Sequence, residues 1–182
     1  MAVSREALHT ISELQEMVSR PENTNRLFEL INGEIVEVSP GRTNNSALEH
    51  ILSFAVRLYC REHDLPCYIS GGDGAFDVGG HVVAPDFAYK RTPMSDEYPD
   101  PVAPEWAIEI ISPTDNAPDI RAKRNIYIEA GILYGELYPQ TQSIDVYAPG
   151  KLMGTIGVDG FLDGGDVLPG FRVALKEIFD QL

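Results

Sequence analysis

Two acidic residues interrupt apolar runs of this chain: Asp86 within residues 81–89 and Glu109 within residues 106–111. Both runs read as strands. Period-two alternation places Asp86 on the face of Val82, Ala84 and Ala88, and Glu109 on the face of Ala107 and Ile111. A carboxylate in such surroundings is costly unless it is paired or bound to a cation. Two of them brought together repel, and one takes up a proton unless a positive charge intervenes. A hard divalent cation with oxygen ligands resolves the conflict. So does separate pairing of each acid with a buried arginine or with nearby backbone N–H groups, and chemistry alone leaves both readings open.

A third residue bears on that choice. On a helical wheel through residues 118–130, Lys123 falls among Ile120, Ile126, Tyr127 and Ala130, while Arg121, Arg124, Asn125 and Glu129 occupy the opposite side. A lysine on the packing face either reaches a buried anion or runs its aliphatic stem out to the rim of the sheet. Two strand carboxylates and an inward lysine suffice for metal-assisted phosphodiester hydrolysis. The cation polarises a phosphoryl oxygen and activates water, and the lysine orients that water or stabilises charge developing on the phosphate. Glu29 and Glu34 flank a predicted hairpin and either add a third carboxylate or stay solvated. His50 lies off the apolar stripe of its helix and faces either a cleft or solvent. Gly71-Gly72-Asp73-Gly74 has no lysine and no following helix, so it reads as a turn rather than a phosphate loop.

The elements that must position these residues follow from periodicity and turn signals. Leu8, Ile11, Leu14 and Val18 predict a helix over residues 7–18, with Thr10 or Ser12 as cap and Pro21 as stop. Asn32-Gly33 between Leu27–Ile31 and Glu34–Val38 predicts a tight hairpin. Residues 44–63 form an amphipathic helix whose apolar side carries Leu48, Ile51, Leu52, Ala55, Leu58 and Tyr59. Strands are expected at 67–70, 74–78 and 81–89, then a long loop over 90–104, then the strand at 106–111. A second helix begins near Pro118 and ends at Gly131. Strands follow at Leu133–Tyr138, which Gly135 weakens, and at Ser143–Tyr147. A glycine-rich loop and Leu168-Pro169-Gly170-Phe171 lead into a short closing helix. The order predicts one α/β domain with a mixed sheet, divided into an N-terminal helix and hairpin (1–43), a core (44–147) and a C-terminal extension (148–182).

Composition sets outer limits. At 182 residues, 43% hydrophobic and 23% charged, the chain can bury a sizeable core. No apolar run is long enough to span a bilayer, and the N-terminus lacks a signal-like pattern, so no membrane association and a cytoplasmic location are expected. Cys60 and Cys67 are expected as two reduced thiols, one on a helix and one at the start of a strand. With 28 acidic and 14 basic residues the net charge is -14. That excludes coating of DNA by a broad basic surface, but not an enzyme that meets phosphate through a cation.

Pro85-Asp86 followed by Glu109 at the end of an apolar strand resembles the PD-(D/E)XK nuclease motif. That superfamily places a lysine two residues after the acid, where this chain has Ile111. The chain resembles one branch in particular, the Uma-type family of putative restriction endonucleases. The resemblance runs through Phe28-Glu29-Leu30-Ile31-Asn32-Gly33-Glu34-Ile35, His50, Pro85-Asp86 and Glu109-Ile110-Ile111-Ser112-Pro113. It continues through Asp119, Lys123, Tyr127, Gly131 and Leu168-Pro169-Gly170-Phe171. The family carries its lysine on the helix after the glutamate strand, where Lys123 stands. It departs at residues 132–140, where the family shows an acidic-aromatic stretch with a tryptophan. The resemblance implies a restriction-endonuclease-like fold, a central mixed β-sheet flanked by helices, with an N-terminal helix and hairpin. It implies Mg²⁺- or Mn²⁺-dependent hydrolysis of DNA, with the metal on Asp86, Glu109 and the Ile110 carbonyl, Lys123 acting on water or phosphate, and a homodimer able to cut both strands. The competing expectation is a nuclease fold that no longer cuts and serves as an interaction or regulatory module.

Overall fold

The computed structural model describes residues 8–182. Helix α1 (Ile11–Val18) opens with a reciprocal capping box: the Thr10 N–H donates to Glu13 Oε2 at 2.7 Å, and the Glu13 N–H donates to Thr10 Oγ1 at 3.3 Å. The helix thus starts later than periodicity predicts, and residue 7 lies outside the described residues. Strands β1 (Leu27–Ile31) and β2 (Glu34–Val38) turn through Asn32 and Gly33 at φ 51° and 80°. Two successive positive φ values are what a tight hairpin requires, and Asn-Gly supplies them with little strain. This hairpin joins β4 (Phe76–Val78) and β5 (His81–Val83) in a sheet of order β2-β1-β5-β4.

The larger sheet has the order β10-β9-β8-β7-β6-β3. Its strands are β3 (Tyr68–Gly71), β6 (Phe87–Lys90), β7 (Trp106–Ile110), β8 (Leu133–Tyr138), β9 (Ser143–Tyr147) and β10 (Gly154–Ile156). Only β7 and β8 pair in parallel, joined by the crossover helix α3 (Ala117–Glu129); the other neighbours are antiparallel, so the sheet is mixed. Alternation along β7 sends Trp106, Ile108 and Ile110 to one face. There they pack with Leu48, Leu52, Val56 and Cys60 of α2 (Thr43–Glu62), with the hairpin of β11 (Phe161–Gly164) and β12 (Leu168–Ala174), and with α4 (Leu175–Phe179). Ala107 and Glu109 take the other face, where Ile126 and Tyr127 of α3 and Phe76, Val78 and Val83 of the smaller sheet close over Ala88, Ala107 and Tyr134.

Several expectations change in detail. Residues 81–89 are not one strand but two, β5 and β6, in different sheets. Pro85 has no N–H for a ladder, and the chain crosses between sheets there. The buried stripe of α2 centres on Leu48, Leu52, Val56 and Cys60, with Ile51, Ala55 and Tyr59 at its margin. Residues 148–167 contain β10 and β11 rather than loop alone, and Leu168 begins β12. Gly135 does not weaken β8: the strand is continuous, and a Cβ there would stand 3.0 Å from Ile144 and 3.2 Å from Ile108, so a small residue is what the packing admits. Cys60 is buried and Cys67 half-buried, both free. Among the described residues no helix is long and apolar enough to cross a membrane.

The long loop after β6 is tied down by charge. Lys90 is 1% exposed, and its ammonium meets Asp100 at 2.5 Å. Asp100 also accepts from the Ser95 and Val102 N–H groups at 3.0 and 2.9 Å. Burial pushes the Asp100 carboxyl up, but Lys90 and these N–H donors outweigh it and hold it below the usual carboxylate range. Removing one partner of such a pair strands the other. Asp100→Asn is expected to cost about 3–5 kcal/mol in urea denaturation at pH 7. A carboxyl whose pKa falls on folding contributes stability above its unfolded value and loses it as pH falls through the folded one. The gap between wild type and variant should therefore begin to narrow below about pH 3.9 and keep narrowing as the pH falls through the lower folded value.

Candidate active site

Asp86 lies at the crossing between sheets. With Phe87 opposite Ile108, β6 no longer pairs with β7 beyond that point, and the Asp86 carboxylate substitutes for the missing backbone partner. Its Oδ2 accepts from the Ile110 N–H at 2.6 Å. The other N–H near the break, that of Ala84, donates to Glu29 Oε1 at 2.8 Å. Glu29 comes from β1, so the break brings a carboxylate of the small sheet beside one of the large sheet.

Glu109 faces α3 from the C-terminal end of β7. Its Oε1 accepts from the Tyr127 hydroxyl at 2.9 Å and lies 2.7 Å from the Lys123 ammonium. Lys123 Nζ stands 2.9 Å from Glu29 Oε1 as well. Lys123 and Tyr127 are four residues apart and share one helix face, which is how both reach Glu109. The lysine thus reaches a buried anion rather than the rim. Burial lowers its pKa, but Glu109 and Glu29 outweigh burial and hold it above the ordinary lysine value, so it remains a cation. Burial pushes Glu109 up to about 8; Lys123 pulls against it, while Asp86 and Glu29 add to it. Asp86 too is raised by burial, against the Ile110 N–H and Lys123.

The group opens into a cleft of about 1000 Å³. Glu29 and His50 line it, His50 as an exposed residue whose Nδ1 is 2.7 Å from the Ser46 carbonyl oxygen. Glu34 does not: it is exposed at the hairpin and away from the cleft. Ile110 lines the cleft, and its carbonyl accepts from the Asn45 amide at 3.2 Å. Ile111 donates its N–H to Leu137 and is buried, so the place where the superfamily carries lysine is apolar here.

Glu49 is the residue that sequence reasoning missed. It points from α2 into the cleft, where burial raises its pKa, His50 opposes this, and Asp86 and Asp73 add to it. A Cβ on Gly71 would stand 2.1 Å from Glu49 Oε1, and one on Gly72 3.2 Å from Asp86 Oδ1. The glycine pair therefore admits both carboxylates to the backbone, and that pair was the available signal. The cleft is acidic: Glu29, Glu37, Glu49, Asp73, Asp86, Glu109, Asp115 and Asp119 line it, against Arg42 and Lys123 as the only basic lysine or arginine side chains among the described lining residues.

A mixed sheet with a crossover helix that delivers lysine to two strand carboxylates defines a nuclease-like α/β fold. A family model described as putative restriction endonuclease, Uma2, matches residues 12–176, and the chain belongs to that family. The crystal structure of a putative nuclease belonging to DUF820 from Anabaena variabilis superposes with a TM-score of 0.80 at 18% identity, covering 94% of this chain and 98% of the other. A search of curated protein sequences finds no match.

The Tyr127 hydroxyl is the neutral donor that holds Glu109 alongside the lysine. Above about pH 8, where Glu109 is ionised, Tyr127→Phe is expected to lower stability by about 1.5–3 kcal/mol, the usual worth of a hydrogen bond to a charged group. Urea midpoints at unchanged m value check this, and an effect below about 0.5 kcal/mol would show that Lys123 alone holds Glu109.

Proposed function

We propose that the chain is a nuclease that hydrolyses phosphodiester bonds in DNA with a divalent cation, Mg²⁺ or Mn²⁺. The observation that carries this reading is the meeting of Asp86, Glu109 and Lys123 from three separate elements in one cleft. The donor set fits a cation. Three carboxylates, Asp86, Glu109 and Glu29, surround one ammonium, so negative charge is in excess in a poorly solvated place. Among the described residues, Asp86 Oδ1 and Glu109 Oε2 accept no hydrogen bond, whereas the partner oxygen of each does. Asp86 and Glu109 would hold the ion, with the Ile110 carbonyl beside them. No group of three acidic, histidine or cysteine side chains suited to a metal occurs among the described residues, so the remaining ligands would be backbone, water or substrate oxygens. A bound cation supplies Lewis-acid stabilisation of charge on the phosphoryl group.

Lys123 contributes a fixed positive charge. Because it stays protonated, it serves as a donor to phosphate or to the attacking water and not as a base. Tyr127 and Glu29 hold the two ends of that arrangement. Purified protein incubated with plasmid and with single-stranded DNA plus Mg²⁺ or Mn²⁺ is expected to cleave. Asp86→Ala and Lys123→Ala should each lower the rate roughly 100-fold or more. Cleavage that survives both changes would sink the assignment.

A second reading rests on the acidic cleft. Phosphate binding draws on Lys and Arg, and Arg42 is the only such side chain among the described lining residues outside the Lys123 cluster. A nuclease fold serving as an interaction module accommodates that charge. Absence of cleavage on every nucleic acid substrate favours it.

A further inference from the structure

Glu136 is the most enclosed acid in the described chain, at 0% exposure, and the proposed chemistry does not use it. It lies on β8 directly beside Glu109, its register partner on β7. Four donors saturate it. Arg124 Nε and Nη2 donate to Oε1 and Oε2 at 2.8 and 2.7 Å, the Tyr134 hydroxyl to Oε1 at 3.2 Å, and the Tyr138 hydroxyl to Oε2 at 2.8 Å. The wheel put Arg124 on the solvent side of α3. The structure instead turns it onto the sheet, its guanidinium 5.2 Å from the centroid of the Tyr147 ring.

Apart from the Lys123 and Tyr127 bonds into the cleft, α3 is weakly specified where this pair sits. The cap residue Asn116 makes no side-chain cap hydrogen bond, and Ile126 and Tyr127 are the helix's only buried residues. Apolar contact is non-directional and tolerates small slides or rotations, whereas a forked guanidinium–carboxylate bond fixes both distance and plane. Arg124 is next to Lys123, and Tyr134 stacks on Tyr127 with centroids 4.7 Å apart. Displacement of α3 would therefore move both donors to Glu109 together. We infer that Glu136 and Arg124 are positioning residues: their fork sets α3 against β8 so that Lys123 and Tyr127 are held on Glu109.

The inference rests on the reading of Lys123 as the cation of the site, and its test reads placement without cleavage, so the two can fail separately. A buried ion pair can be exchanged for apolar residues with little loss of stability. The double variant Arg124→Met/Glu136→Leu therefore removes the fork without stranding a charge. Reductive methylation under native conditions, followed by mass spectrometry, reports the accessibility of each lysine. Lys123 is 14% exposed by side chain and Lys90 1%, and Lys90 is paired elsewhere with Asp100, so it serves as the internal control. Lys123 should label at least about tenfold faster in the double variant, with Lys90 unchanged, as for a local rather than global opening. Labelling of Lys123 at the wild-type rate, or an equal rise at both lysines, would overturn the inference. Arg124→Lys keeps the charge and gives up the fork, and carries the same reading if the double variant does not fold. Faster labelling of Lys123 alone supports positioning, and wild-type labelling overturns it.

Discussion

The structure turns on one ammonium among three carboxylates. Lys123 is held between Glu109 and Glu29, with Asp86 near enough to be stabilised by it. None of these acids could be buried alone at acceptable cost. Their enclosure therefore demands that β1, β6, β7 and α3 converge. The smaller sheet is drawn in by the same requirement, since Glu29 bonds both the lysine and the Ala84 N–H at the strand break. One ammonium does not balance three carboxylates, and the cation proposed above would offset that imbalance.

Pro85 does a second necessary thing. Lying beyond the end of β6–β7 pairing and lacking an N–H, it leaves the Ile110 N–H without a strand partner, and the Asp86 side chain accepts from it instead. The acid is thus fixed by a backbone donor of the strand that carries Glu109. The spacing of the two acids then follows from strand geometry rather than from flexible loops, and a preorganised site depends on that kind of rigidity. The other buried charges, Lys90 with Asp100 and Arg124 with Glu136, anchor the two segments on either side: the loop entering β7 and the helix leaving it.

Local signals carried much of this fold. Asn32-Gly33 marked the hairpin because few residues accept two positive φ values in succession. Thr10 marked the first helix because its hydroxyl meets an otherwise unpaired N–H. Lys123 was legible on the wheel because a charge on an apolar face needs a partner. Glu49 was not legible, because its neighbour His50 looked more reactive and nothing in α2 says which cleft the helix borders. Arg124 was assigned to solvent, since a wheel knows only the helix and not that the adjoining strand offers a buried carboxylate.

The sequence by itself determined which residues could be chemical: Asp86 and Glu109 as acids in apolar runs, Lys123 on a packing face, and the order of helix and strand that makes the sheet mixed. Those are consequences of local periodicity and of the cost of burying charge. That Asp86 sits between two strands rather than within one came from the fold. Only the tertiary structure decided that residues 81–89 divide between two sheets, that Glu29 joins the cluster while Glu34 stays in solvent, and that Glu136 rather than water holds Arg124. Each of those outcomes depends on partners far apart in the chain, and alternation within a single strand cannot say which sheet, or which neighbour, its inward face will meet.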